Sequence, residues 1–219
     1  KIDETYKFIA FGGDGGTYDI GFQSLSGAME RGQDMVYVCY DNEAYMNTGI
    51  QRSSATPVGA DTTTTPIGKE SAGKPQGRKD LTDVIAAHNV PYVAQTTFIG
   101  NFKDLHEKAE KAIYTEGAAF LNVLAPCPRG WRYESEDLME ICKLAVETCY
   151  WPLFEVINGE WKLNYRPKKK LPIEEFLKKQ GRFKHLFKPE NRHIIDRIQA
   201  NVDLRWERLL KRCGEELDK

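Results

Sequence analysis

The apolar residues of the chain fall into short runs that alternate with amphipathic stretches. A first apolar run, KFIAFGG (7–13), ends in glycines, and residues 18–32 then carry apolar side chains near helical spacing. A second run of β-branched and aromatic residues, MVYVCYDN (35–42), follows. The connection between the two runs is long enough for a crossover that makes them parallel neighbours. The pattern therefore predicts a strand, a glycine-rich turn, a helix and a second strand.

A long polar segment, residues 43–79, separates this unit from the rest of the alternating pattern. It is rich in Gly, Thr, Ser and Pro, and a loop of that length in a compact domain is usually functional or ordered by a partner. Beyond it the pattern predicts helices at 80–88, 102–116 and 134–149 and strands at 91–96, 118–125 and 152–157. This alternation predicts an α/β fold with a doubly wound, mostly parallel sheet and a C-terminal helical extension.

The C-terminal part of the chain differs from the rest in charge. Residues 160–219 hold 17 Lys and Arg against 10 Asp and Glu, whereas residues 1–159 hold 14 against 22. This part begins with WKLNY, a string typical of a β-hairpin. Its apolar spacing then predicts a helix near 173–179 and a long helix at about 190–213. The long helix carries an apolar stripe of Ile194, Ile198, Val202, Trp206, Leu209 and Cys213. We predict an α/β domain at 1–159 and a basic extension at 160–219 that packs on the domain or on a partner subunit. The basic surface of this extension is either a solvated helix face or a docking surface for an acidic partner.

Length and composition narrow the class of protein. The 219 residues are 41% hydrophobic and contain no apolar run long enough for a membrane span, so we expect no membrane partner and no nucleic acid. The five cysteines include no close CxxC pair, which favours a reducing, cytoplasmic location. Because the chain opens on Lys1 and a strand-like run begins almost at once, we expect an N-terminal portion to precede it.

The GGDGG segment (12–16) is the most informative part of the sequence, because it lies where the first strand ends and the helix begins. Glycines such as Gly13, Gly15 and Gly16 allow the backbone to approach phosphate oxygens, and a helix N-terminus attracts anions. Asp14 would repel a diphosphate unless a divalent cation lay between them, and Mg²⁺ prefers oxygen ligands. The segment therefore predicts a metal and diphosphate site, with a plain tight turn as the alternative.

A second polar residue, Asn42, follows the second strand 28 positions after Asp14. If the two strands are parallel neighbours, both oxygens lie at the same edge of the sheet. A GDG string with an Asn at this distance resembles the signature of thiamine diphosphate enzymes. That resemblance implies Mg²⁺ held by Asp14, by the Asn42 side chain and by the backbone carbonyl of Ala44. Two unrelated strand-end turns are the alternative.

The strings GDGGTYDIGFQSL and YDNEAYMNTGIQRSSATP, supported by APCPRGW, resemble the 2-oxoacid:ferredoxin oxidoreductases, pyruvate synthase above all. The resemblance covers nearly the whole chain and implies a beta subunit that binds thiamine diphosphate through Mg²⁺ in a fold of the pyrophosphate-binding type. It implies oxidative decarboxylation of a 2-oxoacid with coenzyme A and ferredoxin as co-substrates. Pyruvate is the first candidate substrate, and oxalate and branched or aromatic oxoacids are the alternatives. An alpha-type subunit would supply the glutamate that activates the cofactor.

The same resemblance implies roles for three further residues. Asn47 would lie by the reactive thiazolium and substrate, with Thr48 beside it in the cofactor site; the alternative for Asn47 is a turn-stabilising role before Gly49. Cys127 would be the remote ligand of a 4Fe-4S cluster whose other three cysteines lie upstream. Residues 1–126 contain only Cys39, so either a preceding cysteine-containing segment is missing from this chain or the cluster is lost.

Two other functions remain open at this point. One is a non-redox thiamine diphosphate enzyme, either a decarboxylase or an acetolactate-synthase-like protein. The other is a non-catalytic nucleotide-binding or assembly subunit. Cys127 and the YDIG and NTG strings argue against the first, and magnesium-dependent binding of thiamine diphosphate would exclude the second.

Overall fold

A six-stranded sheet forms the centre of the protein, in the strand order β1-β2-β4-β3-β5-β6. The structure is a computed structural model that describes residues 6–217. Residues 1–5 of the predicted α/β domain and residues 218–219 of the predicted extension lie outside the described residues. The strands are β1 (Phe8–Gly13), β2 (Met35–Asp41), β3 (Tyr92–Thr96), β4 (Ala119–Leu124), β5 (Phe154–Ile157) and β6 (Glu160–Leu163). The first four are parallel, and β5 and β6 add an antiparallel hairpin at one edge. The predicted mostly parallel α/β sheet is confirmed.

Helices connect and flank these strands. They are α1 (Phe22–Glu30), α2 (Leu81–Ala86), α3 (Lys103–Tyr114), α4 (Pro128–Trp131), α5 (Leu138–Glu147), α6 (Ile173–Leu177) and α7 (Arg192–Cys213). The helix predicted at 18–32 is preceded by a turn of π-helix, Gly15–Ile20, which brings the helical backbone directly to the end of β1. The short α4 was not predicted, because one helical turn does not produce an apolar period.

The main hydrophobic core lies between the sheet and the C-terminal part of the chain. The apolar stripe of α7 packs into it through its buried residues Ile195, Ile198, Val202, Trp206, Leu209 and Leu210. Ile194 and Cys213, which the sequence placed on that stripe, are only partly buried at its margin. A smaller core lies under α3 on the opposite face of the sheet. None of the helices within residues 6–217 is long and apolar enough to cross a membrane.

The long segment between β2 and α2 is ordered by hydrogen bonds within itself and with the C-terminal part of the chain. Its backbone amide at Gly59 donates to the Lys74 carbonyl at 2.8 Å, and that of Asp61 donates to the Arg182 carbonyl at 3.1 Å. Lys74 is buried and donates to the carbonyl oxygen of Thr56. The segment therefore forms a layer between the edge of the sheet and the C-terminal residues.

Candidate cofactor and metal site

The site lies where β1 and β2 end, at the same edge of the sheet. The two strands are adjacent and parallel, with Gly13 opposite Tyr40. Asp14 therefore follows β1 beside the point where Asn42 follows β2, and the backbone amide of Asn42 donates to Asp14 Oδ1 at 3.3 Å. The spacing of 28 residues brings these two side chains together because the helix between them returns the chain to the same edge.

An open groove of about 200 Å³ lies at this edge. Its lining includes the eight residues that the sequence assigned to thiamine diphosphate and Mg²⁺: Gly13, Asp14, Gly15, Gly16, Asn42, Ala44, Asn47 and Thr48. Tyr40, Tyr45 and Met46 complete it. A larger cavity of about 750 Å³ lies elsewhere, between residues 167–172 and α7. We place the site in the smaller groove, because the strand ends and the acidic side chain of Asp14 converge there.

The glycines of the first turn have different surroundings. A Cβ atom at Gly15 would lie 2.4 Å from ring carbons of Tyr45, whose hydroxyl donates to the Gly15 carbonyl at 2.8 Å. A Cβ atom at Gly16 would meet no protein atom within 4 Å. Gly15 is therefore required by the packing of the protein itself, whereas Gly16 faces the open groove.

Asp14 is an acidic side chain buried away from solvent. Its carboxylate accepts a hydrogen bond of 2.5 Å from the Ser53 hydroxyl. Burial, reinforced by the nearby charge of Asp41, raises the pKa of Asp14 to about 8. A buried carboxylate is costly unless it is paired, so this position favours a cation.

The Asp14 carboxylate, the Asn42 carboxamide and the Ala44 carbonyl converge at the point where such a cation would bind. The Asn42 carboxamide nitrogen donates to the Ala44 carbonyl oxygen at 2.7 Å and to Asp14 Oδ1 at 2.8 Å. A half-turn of the amide would present its oxygen to the same point. Adjacent ligands of an octahedral Mg²⁺ are about 2.9 Å apart, so the 2.7 and 2.8 Å separations suit neighbouring positions in its coordination shell. The residues therefore fit the metal that the sequence implied.

No group of three His, Cys, Asp or Glu residues suited to a metal occurs within residues 6–217. The candidate site combines the Asp14 carboxylate with the Asn42 amide and the Ala44 backbone carbonyl. Asp14 is therefore its only His, Cys, Asp or Glu residue. It is a set of hard oxygen donors, which suits Mg²⁺ and not a soft transition metal.

A buried group of charges that the sequence analysis did not identify lies next to Asn42. The neighbours of Asn42 in sequence, Asp41 and Glu43, are both buried. Arg78 forms ion pairs with both carboxylates, and Arg182 forms a second ion pair with Glu43. The acidic residues could have been noticed from the string YDNE, but no sequence pattern connects them to arginines 35 and 139 positions away from Glu43.

Asn47 and Thr48 lie on the exposed turn at the mouth of the groove. The turn is closed by the backbone amide of Gly49, which donates to the Met46 carbonyl at 3.2 Å, and by Thr48 and Gln51, whose side chains hydrogen-bond each other. The Asn47 side chain is thus not needed for these contacts and is exposed at the groove.

Cys127 lies beside the same edge. The strand β4 pairs with β2, and beyond it the amide of Ala125 donates to the Asp41 carbonyl at 2.8 Å. Cys127 then caps α4, its Sγ accepting from the Gly130 amide at 3.5 Å, and Met46 packs against Gly130. Cys127 is only partly buried, whereas Cys39, Cys142 and Cys149 are buried.

The family model described as the C-terminal TPP binding domain of thiamine pyrophosphate enzymes matches residues 1–123 of the chain. This chain belongs to the thiamine pyrophosphate enzymes. The matched residues contain Asp14, Asn42 and every other residue of the candidate groove.

Individual relatives of this thiamine pyrophosphate enzyme narrow the family further. Pyruvate synthase subunit PorB of Thermotoga maritima is 53% identical over 209 residues, which are 95% of this chain and 64% of that protein. Ketoisovalerate oxidoreductase subunit VorB of Pyrococcus horikoshii is 50% identical over 213 residues, 96% of this chain and 67% of that protein. The predicted membership in the beta subunits of the 2-oxoacid:ferredoxin oxidoreductases is confirmed. The chain spans about two thirds of the length of these relatives.

A solved structure also resembles the chain. It is described as 2-oxoglutarate:ferredoxin oxidoreductase from Magnetococcus marinus with 2-oxoglutarate, coenzyme A and succinyl-CoA bound. It is 27% identical in sequence, with a TM-score of 0.48, and the match covers 61% of this chain and 50% of that one.

Proposed function

We propose that this chain binds thiamine diphosphate through Mg²⁺ as part of a 2-oxoacid:ferredoxin oxidoreductase, and that it acts only together with a partner subunit. The observation that carries the proposal is the convergence of the Asp14 carboxylate, the Asn42 carboxamide and the Ala44 carbonyl at the end of two parallel strands. In open α/β sheets, ligands bind beyond the carboxyl ends of the strands. A cation held there would neutralise the buried Asp14 and attract a diphosphate.

In this proposal each part of the groove has a distinct task. Asp14, Asn42 and the Ala44 carbonyl hold Mg²⁺, and the exposed backbone of Gly16 allows close approach of the diphosphate. The amide groups at the start of the π-turn face the same anion. Asn47 and Thr48, at the mouth, are next to the reacting end. Thiamine diphosphate, when bound, supplies the stabilisation of carbanionic charge that the decarboxylation needs.

Cys127 is, in the same proposal, a ligand of a 4Fe-4S cluster. Such clusters are held by cysteine thiolates, and Cys127 is only partly buried beside the cofactor groove. The remaining ligands would come from parts of the enzyme other than residues 6–217, in which the other cysteines are Cys39, Cys142, Cys149 and Cys213. A cluster at this place would receive electrons from the cofactor and deliver them toward ferredoxin.

The substrate is proposed to be a 2-oxoacid, with pyruvate first. The relatives named for pyruvate and for ketoisovalerate are 53% and 50% identical to this chain, so similarity alone does not decide between the two side chains. Coenzyme A as acyl acceptor and an alpha-type subunit that supplies the activating glutamate complete the proposed reaction. We propose a cytoplasmic location for this assembly.

Binding of thiamine diphosphate to the assembled enzyme, titrated with and without Mg²⁺, tests this function. In the wild type we expect binding to require Mg²⁺. Asp14→Ala removes the charged ligand, so affinity should fall by about tenfold or more. Glu30→Gln, which removes an exposed carboxylate at the end of α1, is the control and should bind normally.

Metal-independent binding in the wild type, or unchanged affinity in Asp14→Ala, would refute the site. Absence of any thiamine diphosphate binding would instead favour an assembly subunit without a catalytic role.

A further inference from the structure

The residue proposed to bind the metal through its side chain, Asn42, lies between two buried acidic residues. Asp41 is the last residue of β2, and Glu43 begins the following turn. Both side chains have no exposed surface in their ion pairs with Arg78. Two carboxylates this close in sequence and both buried are unfavourable unless positive groups are held against them.

One guanidinium connects the two acidic residues. Arg78 Nη2 lies 2.8 Å from Asp41 Oδ2, and Arg78 Nη1 lies 2.9 Å from Glu43 Oε1. The hydroxyl of Tyr18 donates to Asp41 Oδ2 at 2.6 Å, and that of Tyr150 donates to Glu43 Oε1 at 2.5 Å. The planar guanidinium thus fixes the separation of the two residues on either side of Asn42.

A second arginine holds the other side of the turn. Arg182 Nη2 lies 2.5 Å from Glu43 Oε2, and its guanidinium lies over the Trp131 ring, 3.8 Å from the ring centre. The indole nitrogen of Trp131 donates to the Asn42 carbonyl at 2.7 Å. Arg182 therefore contacts both the side chain of Glu43 and the residue that fixes the Asn42 backbone.

The turn that these arginines hold is conformationally unfavourable. Glu43 has a φ of 64°, in the left-handed region that residues other than glycine rarely adopt. The carbonyl of Glu43 accepts a 2.5 Å hydrogen bond from the Thr56 hydroxyl. This conformation turns the chain so that the carbonyl of Ala44 returns toward the Asn42 side chain. Without partners for the Glu43 side chain, the turn would relax toward an ordinary backbone conformation.

We infer that Arg78 and Arg182 are positioning residues for the metal site. They hold Glu43 in its left-handed turn and thereby aim the Asn42 side chain and the Ala44 carbonyl at the cation. This inference rests on the proposed function, because it assumes that Mg²⁺ binds these oxygens. It adds two residues that contact neither the metal nor the cofactor, one from the long polar segment and one from the C-terminal part of the chain.

Metal selectivity distinguishes positioning from a general effect on stability. Mg²⁺ requires nearly ideal octahedral geometry, whereas Ca²⁺ accepts longer and less regular coordination. A turn that is loosened but still folded should therefore lose affinity for Mg²⁺ more than for Ca²⁺. A merely destabilised protein should lose both in proportion.

The experiment measures Mg²⁺ and Ca²⁺ affinities of the assembled enzyme by calorimetry at saturating thiamine diphosphate. Arg182→Met and Arg78→Met should weaken Mg²⁺ binding by about tenfold to a hundredfold, as changes to residues that orient metal ligands do. The ratio of Mg²⁺ to Ca²⁺ affinity should fall at least severalfold. Arg182→Lys keeps a positive charge near Glu43 but loses the planar group over Trp131, and its ratio should be intermediate.

Lys108→Met is the matched control. Lys108 is also buried and pairs with Asp104 at 2.9 Å, on α3 and away from the groove. Its loss should lower the midpoint of thermal unfolding and leave the Mg²⁺ to Ca²⁺ ratio unchanged.

An unchanged ratio in the Arg182 and Arg78 variants, in an enzyme whose wild type needs Mg²⁺ to bind the cofactor, would overturn the inference and leave the proposed function intact. If Arg182→Met does not fold, the ratio in Arg182→Lys decides. A wild type that binds thiamine diphosphate without a divalent cation would overturn the proposed function itself.

Discussion

Two adjacent glycines of the first turn illustrate how a single residue can serve either the fold or the ligand. Gly15 packs against the Tyr45 ring, while Gly16 has open space where a side chain would be. The GDGG string gives them the same appearance in the sequence. Only the position of Tyr45, 30 residues away, separates their tasks, and local patterns do not contain that information.

We therefore predict that two similar substitutions affect different properties, cofactor binding in one case and the free energy of unfolding in the other. Gly16→Ala should change the free energy of unfolding by less than about 0.5 kcal/mol. It should weaken thiamine diphosphate binding about tenfold, because the methyl group occupies space that the diphosphate needs. Gly15→Ala should lower the free energy of unfolding by about 1–3 kcal/mol through overpacking against Tyr45.

Chemical denaturation and cofactor titration of both variants measure these effects. Normal cofactor affinity in Gly16→Ala would mean that the diphosphate does not approach this backbone.

At the scale of elements, the antiparallel strand β5 shows how the far edge of the sheet is stabilised. Glu155 has no exposed surface and accepts hydrogen bonds from Lys111, Asn164 and Tyr92. Burial alone would raise the pKa of Glu155, but these hydrogen bonds outweigh it and lower the pKa from 4.5 to about 2. The carboxylate thus connects β5, α3 and β3.

This shift predicts a pH dependence of stability. A lowered pKa means that the ionised Glu155 stabilises the folded state fully above about pH 4.5 and loses this effect as the pH falls toward 2. In Glu155→Gln, the free energy of unfolding should be lower at pH 7, and the difference from wild type should shrink as the pH is lowered to 3.

Glu160→Gln, an exposed carboxylate in β6, is the control and should follow the wild type across this range. A difference between wild type and Glu155→Gln that stays constant with pH would contradict the assigned shift.

The elements themselves could largely be predicted, and the exceptions have a physical reason. The strands β1 and β2 and the helix between them follow from local apolar periods, and their parallel pairing places Asp14 next to Asn42. The π-turn at Gly15–Ile20 and the short α4 are each shorter than two helical turns, so the spacing of apolar residues does not predict them. The proposed metal ligands could be named from the sequence because they lie at strand ends, which the pattern does locate.

At the scale of the whole molecule, the C-terminal residues contribute to the site at the sheet edge. Arg182 reaches Glu43 across 139 positions of sequence, and Gly181 donates to the Arg132 carbonyl at 3.0 Å. The basic composition of 160–219 gave no indication of this, because net charge does not identify which arginine is buried. Burial depends on the tertiary fold, and no periodicity within one element specifies it.

Cys127, as the proposed cluster ligand, would connect this chain to the rest of the proposed enzyme. Cys127→Ser in the assembled enzyme should lower the iron content and slow ferredoxin reduction, because a thiolate ligand is lost. Thiamine diphosphate binding should be unchanged, since the metal oxygens are separate residues. Iron analysis and EPR of the reduced enzyme measure the effect.

Cys213→Ser, a partly exposed thiol at the end of α7, is the control and should keep the full iron content. Full iron content and an unaltered EPR signal in Cys127→Ser would support the non-redox alternative.

The Asn42 carboxamide bears on how quickly the proposed site would exchange its cation. The amide nitrogen of Asn42 donates to the Ala44 carbonyl at 2.7 Å and to Asp14 Oδ1 at 2.8 Å, and a half-turn would present its oxygen to a cation instead. The metal-free chain can therefore satisfy its own site without moving the backbone. Rotation of one side chain is fast compared with domain motions or local unfolding. Loading and release of the cation would then be limited by diffusion and dehydration of the ion, and a chain that loses its metal would remain ready to take up another.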